Sequence, residues 1–143
     1  ERTRRKGQLM NATSSAEVMK TAAALVEAFG SHDPAAYFPF FADDATFIFY
    51  THPEILTSRA SWEKLWAQWE HDLGFKVHSC ESQDAHVQLL GSDAAVFRHI
   101  VLSSIEMEGV LEVVKERETI VFHHDGLRWV AVHEHLSPWD DQQ

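Results

Sequence analysis

One cysteine, Cys80, stands among the 143 residues. That excludes an internal disulfide framework and any cysteine-based zinc site, and makes a reducing cytoplasm the expected compartment. Long apolar runs are missing too: nothing approaches the roughly 20 residues that cross a bilayer, and the first residues show no secretory apolar segment. A membrane is therefore not an expected partner. Basic residues are scarce, with 12 Lys and Arg against 22 Asp and Glu and a formal net charge of -10. Phosphate binding needs a basic face that displaces counterions, so nucleic acid is not an expected partner either. Repeats, low-complexity linkers and shifts of composition are absent as well, which argues against a second domain.

What is present describes one ordinary globular domain, 45% hydrophobic and 24% charged, large enough for a single core. Residues 1–13, with Arg2, Arg4, Arg5 and Lys6 close together, show no apolar period and read as a flexible tail; a nucleic-acid arm is the sharper reading, set against an acidic remainder. The domain is expected over residues 14–139, with a short tail at 140–143. Ser14 and Glu17 have capping-box spacing at the start of a first helix. Val18, Ala22, Leu25, Val26 and Phe29 recur at helical spacing, and Gly30 is placed to end it. Asp33-Pro34 starts a second, short helix around Tyr37, Phe38 and Phe41, made brief by Pro39. A strand follows over Ala45–Tyr50, with Phe47 and Phe49 on one face.

Ser58 is placed to cap a third helix, closed by Gly74, on which Trp62, Leu65, Trp66, Trp69 and Leu73 form a stripe. Three tryptophans on one face need a large apolar partner, since each buries on the order of 200 Å². Strands then follow one another: Phe75–Glu81, Ala85–Leu90, Ala94–Ser104, Val110–Phe122 and Arg128–Ser137. Gly91-Ser92-Asp93, Glu108-Gly109 and Asp125-Gly126 mark the turns between the last four. Helices first and a meander of long strands afterwards is an α+β pattern, with the helices on one side of a mostly antiparallel sheet. In the last strand, alternation puts Trp129, Ala131, His133 and His135 on one face and Val130, Val132, Glu134 and Leu136 on the other.

This order of elements, together with Phe41-Ala42-Asp43-Asp44-Ala45-Thr46, Leu90-Gly91-Ser92-Asp93-Ala94-Ala95, Glu118-Thr119, Asp125-Gly126, Trp129 and His133-Glu134-His135-Leu136-Ser137, resembles the SnoaL-like branch of the nuclear transport factor 2-like superfamily. The closing segment is also similar to the association, or hub, domain of calmodulin-dependent kinase II. The resemblance covers roughly Ser14 to Trp139. It implies a cone-shaped, cystatin-like α+β fold, in which a strongly curved sheet wraps round the helices, opens a cavity at its wide mouth and pairs with a second copy through its outer face. It also exposes departures. The proton-shuttling aspartate of the related ketosteroid isomerases falls at Phe49. The arginines that line the kinase hub cavity fall at Val101, Ile120 and Leu136, which removes the anchors for an anion and leaves a greasier pocket.

If Val101, Ile120 and Leu136 face the cavity, alternation puts Phe97, His99, Ser103, Glu118, Phe122, Val132 and Glu134 on the same side. A carboxylate and an imidazole in an apolar pocket suit proton abstraction, because desolvation raises the carboxylate pKa towards neutrality. The catalytic reading assigns Glu118 as base and His99 as acid or orienting donor. The plain alternative pairs Glu118 with Arg117, Arg98 or Lys115 and leaves His99 as a bonded core residue. Expected contacts to a small apolar organic ligand are Phe47, Phe49, Tyr50, Trp62, Trp66, Val101, Ile120 and Leu136, with Trp66 the tryptophan placed to reach it. No metal or cofactor is expected: His133 and His135 are spaced for chelation but lack a third ligand at any recognised spacing, and a hydrogen-bonded pair at the last strand or dimer seam is the preferred role. Cys80 reads as a packing residue. Two functions stay open: a ligand-binding protein with cofactor-free isomerase, dehydratase or cyclase chemistry if it is catalytic, or a hub-like assembly module.

Overall fold

A computed structural model describes residues 2–140. Glu1 of the expected N-terminal tail and residues 141–143 of the expected C-terminal tail lie outside the described residues. Helix α1 spans Arg2–Gly30, α2 Pro34–Tyr37, and a 3-10 turn Phe38–Phe40 leads into β1, Phe41–Phe49; α3 is Arg59–Leu73, followed by β2 Lys76–Leu90, β3 Ala94–Met107, β4 Val110–His124 and β5 Trp129–Pro138. The strands form one sheet in the order β1-β5-β4-β3-β2. The β1–β5 pair is parallel and the others are antiparallel.

The local signals act mostly where the sequence places them. Asp33 accepts from the Ala36 amide at the start of α2, Ser58 accepts from the Ser61 amide at the start of α3, and Gly74 ends α3 in the left-handed region at φ 62°, where a side chain is strained. Glu108 and Gly109 both take positive φ, the requirement of a tight hairpin whose twist matches its strands. Asp125 closes the last hairpin by accepting from the Leu127 and Arg128 amides.

The capping box does not act. Because α1 begins at Arg2, Ser14 and Glu17 lie inside the helix, and Glu17 accepts instead from the Trp129 indole at 3.2 Å. Residues 3–13 of that helix are exposed, so their helical run continues from the packed part rather than from burial of their own. The packed part begins at Val18: Val18, Ala22 and Leu25 are buried and belong to the core with Phe41, Phe47, Phe97, Ile120 and Phe122 from the sheet. Gly30 lets the end of α1 lie against β2, where an added Cβ would stand 2.9 Å from the Cys80 amide nitrogen. The two expected strands Phe75–Glu81 and Ala85–Leu90 are one strand, β2, with register irregularities at Val77/Ser79 and Gln83/His86.

The alternation expected for the last strand is broken. Phe122 is partnered with Ala131 but Val121 with His133, so the pairing skips Val132. This β-bulge, one extra residue on one strand, lets Trp129 and Ala131 join the core while Glu134, three positions on from Ala131, also points inwards and lines a cavity. Val132, expected on the inner side, is the skipped residue.

Candidate functional site

Inward-facing residues of β3, β4, β5 and β1 stand in layers. Phe97, Ile120, Glu134 and Phe47 are partners across the four strands in one layer; His99, Glu118, Leu136 and Phe49 are partners in the next. Val101 with Glu116, Ser103 with Val114, Ile105 with Glu112 and Met107 with Val110 continue outwards. In the first layer Phe97, Ile120 and Phe47 are closed off from solvent, so it is a floor. Above it the wall opens into a cavity of about 590 Å³, bounded opposite the sheet by Leu25, Val26 and Phe29 of α1 and Trp62, Trp69 and Leu73 of α3. The rim is held where the Glu108 amide donates to the Leu73 carbonyl, tying the β3–β4 hairpin to the end of α3.

Of the residues expected at a ligand site, Phe49, Tyr50, Trp62, Val101, Leu136 and Glu118 line this cavity. Phe47, Trp66 and Ile120 do not: they lie in the packed core around it. Trp66 is 1% exposed, surrounded by Phe29, Tyr37, Phe38 and Phe75, and the wall position belongs to Trp69. Helix geometry separates them. At about 100° per residue, Trp69 lies about 20° to one side of Trp62 and Trp66 about 40° to the other.

His99 stands behind the wall rather than on it. Buried at 4% exposure, it places Nε2 2.6 Å from Glu118 Oε1 and Nδ1 2.6 Å from Ser82 Oγ. With the imidazole neutral and its proton on Nε2, Nε2–H donates to the carboxylate and Nδ1 accepts from the serine hydroxyl, which fixes ring and carboxylate together. Glu118 is therefore partnered by His99, and not by Arg117, Arg98 or Lys115.

Two further glutamates share the cavity. Glu134 is 4% exposed; burial holds its carboxyl well above the ordinary carboxylate range, the charges of Glu118 and Glu116 add to the effect, and it shares a hydrogen bond with Glu118. Carboxylates cannot all ionise side by side in an apolar wall, so the protonated form of Glu134 is favoured. Glu116 is raised by burial, is eased by the Tyr50 phenol and is raised again by Glu118. Tyr50, 45% exposed, donates to Glu116 Oε2 at 2.7 Å, and its own phenol is pushed up by burial and by that carboxylate. Deeper in, Trp62 donates to the Tyr37 hydroxyl at 3.2 Å. Cys80 also lines the cavity; burial pushes its thiol up to about 12, which keeps it protonated and unreactive.

Sequence reasoning put Glu134 on the inner side but gave it no role, and passed over Glu116, whose signal was its place two residues before Glu118 on an alternating strand. On the outer face, His133 Nδ1 lies 2.7 Å from Thr46 Oγ1, and burial, then His135, lowers the His133 pKa. Among the described residues no group of three or more His, Cys, Asp or Glu is arranged to hold a metal ion, and no helix is long and apolar enough to cross a membrane.

A family profile described as the SnoaL-like domain matches residues 18–141. No curated protein matches the sequence. Among solved structures, a candidate scytalone dehydratase from Novosphingobium aromaticivorans superposes with a TM-score of 0.78 at 11% identity, covering 93% of this chain and 89% of its own. A ketosteroid isomerase-like protein from Erwinia carotovora gives 0.74 at 17% identity, with 88% and 96% covered. The hub homology domain of calmodulin-dependent kinase II from Chlamydomonas reinhardtii gives 0.69 at 18% identity, with 89% and 98% covered. At these identities the likeness is one of fold, and this scaffold carries more than one function.

Proposed function

From the premise that this chain belongs to the SnoaL-like domain family, we propose that its cavity binds a small, mostly apolar organic molecule and moves protons on it without a cofactor, in chemistry of the isomerase, dehydratase or cyclase type. The observation that carries this reading is that Glu118 and Glu134 line one apolar cavity from adjacent strands, with Glu134 held well above the ordinary carboxylate range by burial and by the charge of Glu118. Two carboxyl groups whose environments push their proton affinities apart are suited to act as an acid and a base.

Glu118 is the base, oriented by His99 at 2.6 Å. It takes a proton from a carbon next to a carbonyl or a hydroxyl-bearing carbon. Glu134 gives its proton to the oxygen that gathers charge, forming an enol or, where a hydroxyl leaves, water. The proton on Glu118 then crosses the shared hydrogen bond to Glu134, and the pair is reset with no net gain or loss. The wall residues Phe49, Trp62, Val101 and Leu136 exclude water and hold the hydrocarbon, which keeps both carboxyls in a poorly solvated setting. In this reading the carboxylate reaches the substrate from β4, in place of the aspartate position that Phe49 fills on β1.

The test is hydrogen–deuterium exchange on a panel of small cyclic ketones and β-hydroxy ketones, followed by loss of their α-proton signals in heavy water. The wild-type protein is expected to speed exchange of at least one compound, and Glu118→Gln to reduce that rate by about 10²- to 10⁴-fold, the usual worth of a positioned base. Exchange no faster than buffer across the panel, or undiminished in Glu118→Gln, overturns the proposal. A second reading, an assembly module, is supported by the likeness to kinase hub domains. Mass in solution separates the two: a homodimer through the outer sheet face accompanies the ligand-binding reading, and a larger ring the hub.

A further inference from the structure

We propose that the molecule held in this cavity is a cation, a protonated organic amine carried on an aromatic or alicyclic body. The inference rests on the reading of the cavity as a small-molecule site and adds to it the sign of the occupant's charge.

The ionisable groups that could carry charge on the wall are acidic throughout. Glu108, Glu112, Glu116, Glu118 and Glu134 line the cavity, and among the described residues no Lys, Arg or His does. Nor is that charge compensated from behind. Among the described residues Glu118 meets the His99 imidazole that donates to it, Glu116 has no cationic partner, and Glu134 is the carboxyl that keeps its proton. The polar groups that act on Glu134 are other carboxylates, and those that act on Glu116 are Tyr50 and Glu118. An anion entering here would give up its hydration to meet carboxylates, and a neutral guest would leave Glu116 and Glu118 without a counter-charge in a low-dielectric wall. A cation supplies the missing counter-charge.

The second observation is the rest of the lining. Tyr37, Phe49, Tyr50, Trp62, Trp69 and Phe75 come together on one cavity, with Trp62 and Trp69 edge to face at 5.4 Å and Trp69 and Phe75 at 5.5 Å. The negative faces of such rings attract ammonium groups, most strongly where water is excluded. Aromatic wall and carboxylate together are what a hydrophobic amine requires. The glutamates are also graded along the entry path: Glu108 and Glu112 are exposed at the rim, Glu116 is buried further in, and Glu118 and Glu134 stand at the floor. That arrangement draws a cation inwards. Glu116, fixed on one oxygen by Tyr50 at 2.7 Å, is the residue assigned to the ammonium group, which leaves Glu118 and Glu134 to the proton transfer.

Three probes with the same indole body separate the sign from the shape: tryptamine, tryptophol and indole-3-acetate, cationic, neutral and anionic at pH 7.5, titrated into the full chain by calorimetry. Tryptamine is expected to bind at least about tenfold more tightly than tryptophol, with indole-3-acetate weakest. Glu116→Gln is expected to remove most of the tryptamine advantage while leaving tryptophol unchanged. Glu112→Gln, at the exposed rim where folding is not at stake, is expected to weaken tryptamine about twofold, as befits a screened charge. Tryptophol or indole-3-acetate binding as tightly as tryptamine overturns the inference and leaves the ligand-site reading standing, as does an unchanged tryptamine preference in Glu116→Gln. Failure of all three probes to bind at millimolar concentration overturns both.

Discussion

Replacing Glu134 with Gln is expected to stabilise this protein at neutral pH while leaving it unchanged near pH 4. In the unfolded chain a glutamate titrates near its ordinary value of 4.5; in the fold burial and the neighbouring Glu118 and Glu116 hold Glu134 well above that. Below 4.5 both states carry the proton and the carboxyl adds no pH dependence. Between 4.5 and the raised value the unfolded chain has released its proton and the folded chain has not, so unfolding releases a proton and stability falls as pH rises. For one group the fall is up to about 1.4 kcal/mol per pH unit. Above the raised value both states are ionised and the accumulated loss stays. Glutamine has nearly the same shape, cannot ionise, and still offers an N–H to Glu118, so it escapes that loss. Urea unfolding of both proteins from pH 4 to pH 8, read by the fluorescence of the 5 tryptophans, gives two curves that meet at the acid end and diverge towards neutrality, with the variant on top. A residual slope remains in the variant because Glu116 is also raised. Parallel curves, or a variant less stable at pH 7, would mean that Glu134 is ionised in the fold, and the proton-sharing pair would have to be given up. The same substitution is expected to abolish proton exchange, so stability and activity move in opposite directions, as they do when a strained polar group is kept for function.

Two substitutions away from the carboxyls test the packing that shapes the cavity. Trp66→Ala removes a side chain that is 1% exposed and packed against the rings of Tyr37, Phe38 and Phe75, and is expected to cost about 3–5 kcal/mol in chemical unfolding; a loss under about 1 kcal/mol would mean that this packing does not hold the core together. Gly30→Ala puts a Cβ 2.9 Å from the Cys80 backbone nitrogen, so either α1 or β2 must shift, at about 1–3 kcal/mol, and a thermal midpoint equal to that of wild type would contradict the close approach.

The fold was legible because its punctuation is local. Asp33-Pro34, Ser58, Gly74, Glu108-Gly109 and Asp125-Gly126 each satisfy or bend the backbone within a few residues, and each does so in the structure. The Ser14–Glu17 pair failed for a physical reason of the same kind: a capping box marks a helix start only where the chain upstream is not already helical, and nothing in four residues reports what lies before them. The strand expected from Ala45 starts earlier than its sequence suggests. The strand runs through from Phe41 to Phe49 with an irregular pairing to β5 between Phe41 and Thr46, because two exposed aspartates on a strand are costly in propensity but not forbidden.

The site was harder to read than the fold, and the bulge at Val132 explains why. Strict alternation ties the face of Glu134 to that of Val130 and Val132, and so opposes it to Trp129 and Ala131. The structure needs both sets inside: Trp129 reaches Glu17 on α1, Ala131 packs opposite Phe122, and Glu134 and Leu136 line the cavity. One skipped residue reconciles them. A bulge has no fixed residue signature in a run such as Val130-Ala131-Val132, so the sequence offers the two halves of β5 separately and only the register joins them. The same device brings Glu134 into a layer with Ile120 and Phe47, beneath Glu118, in a floor otherwise built of hydrocarbon. A carboxyl placed there is kept protonated by its surroundings rather than by a partner, and the chemistry proposed for this cavity depends on that placement: shifted by one position, Glu134 would face outwards while His133 and His135 turned inwards, and Glu118 would lose the carboxylic acid beside it.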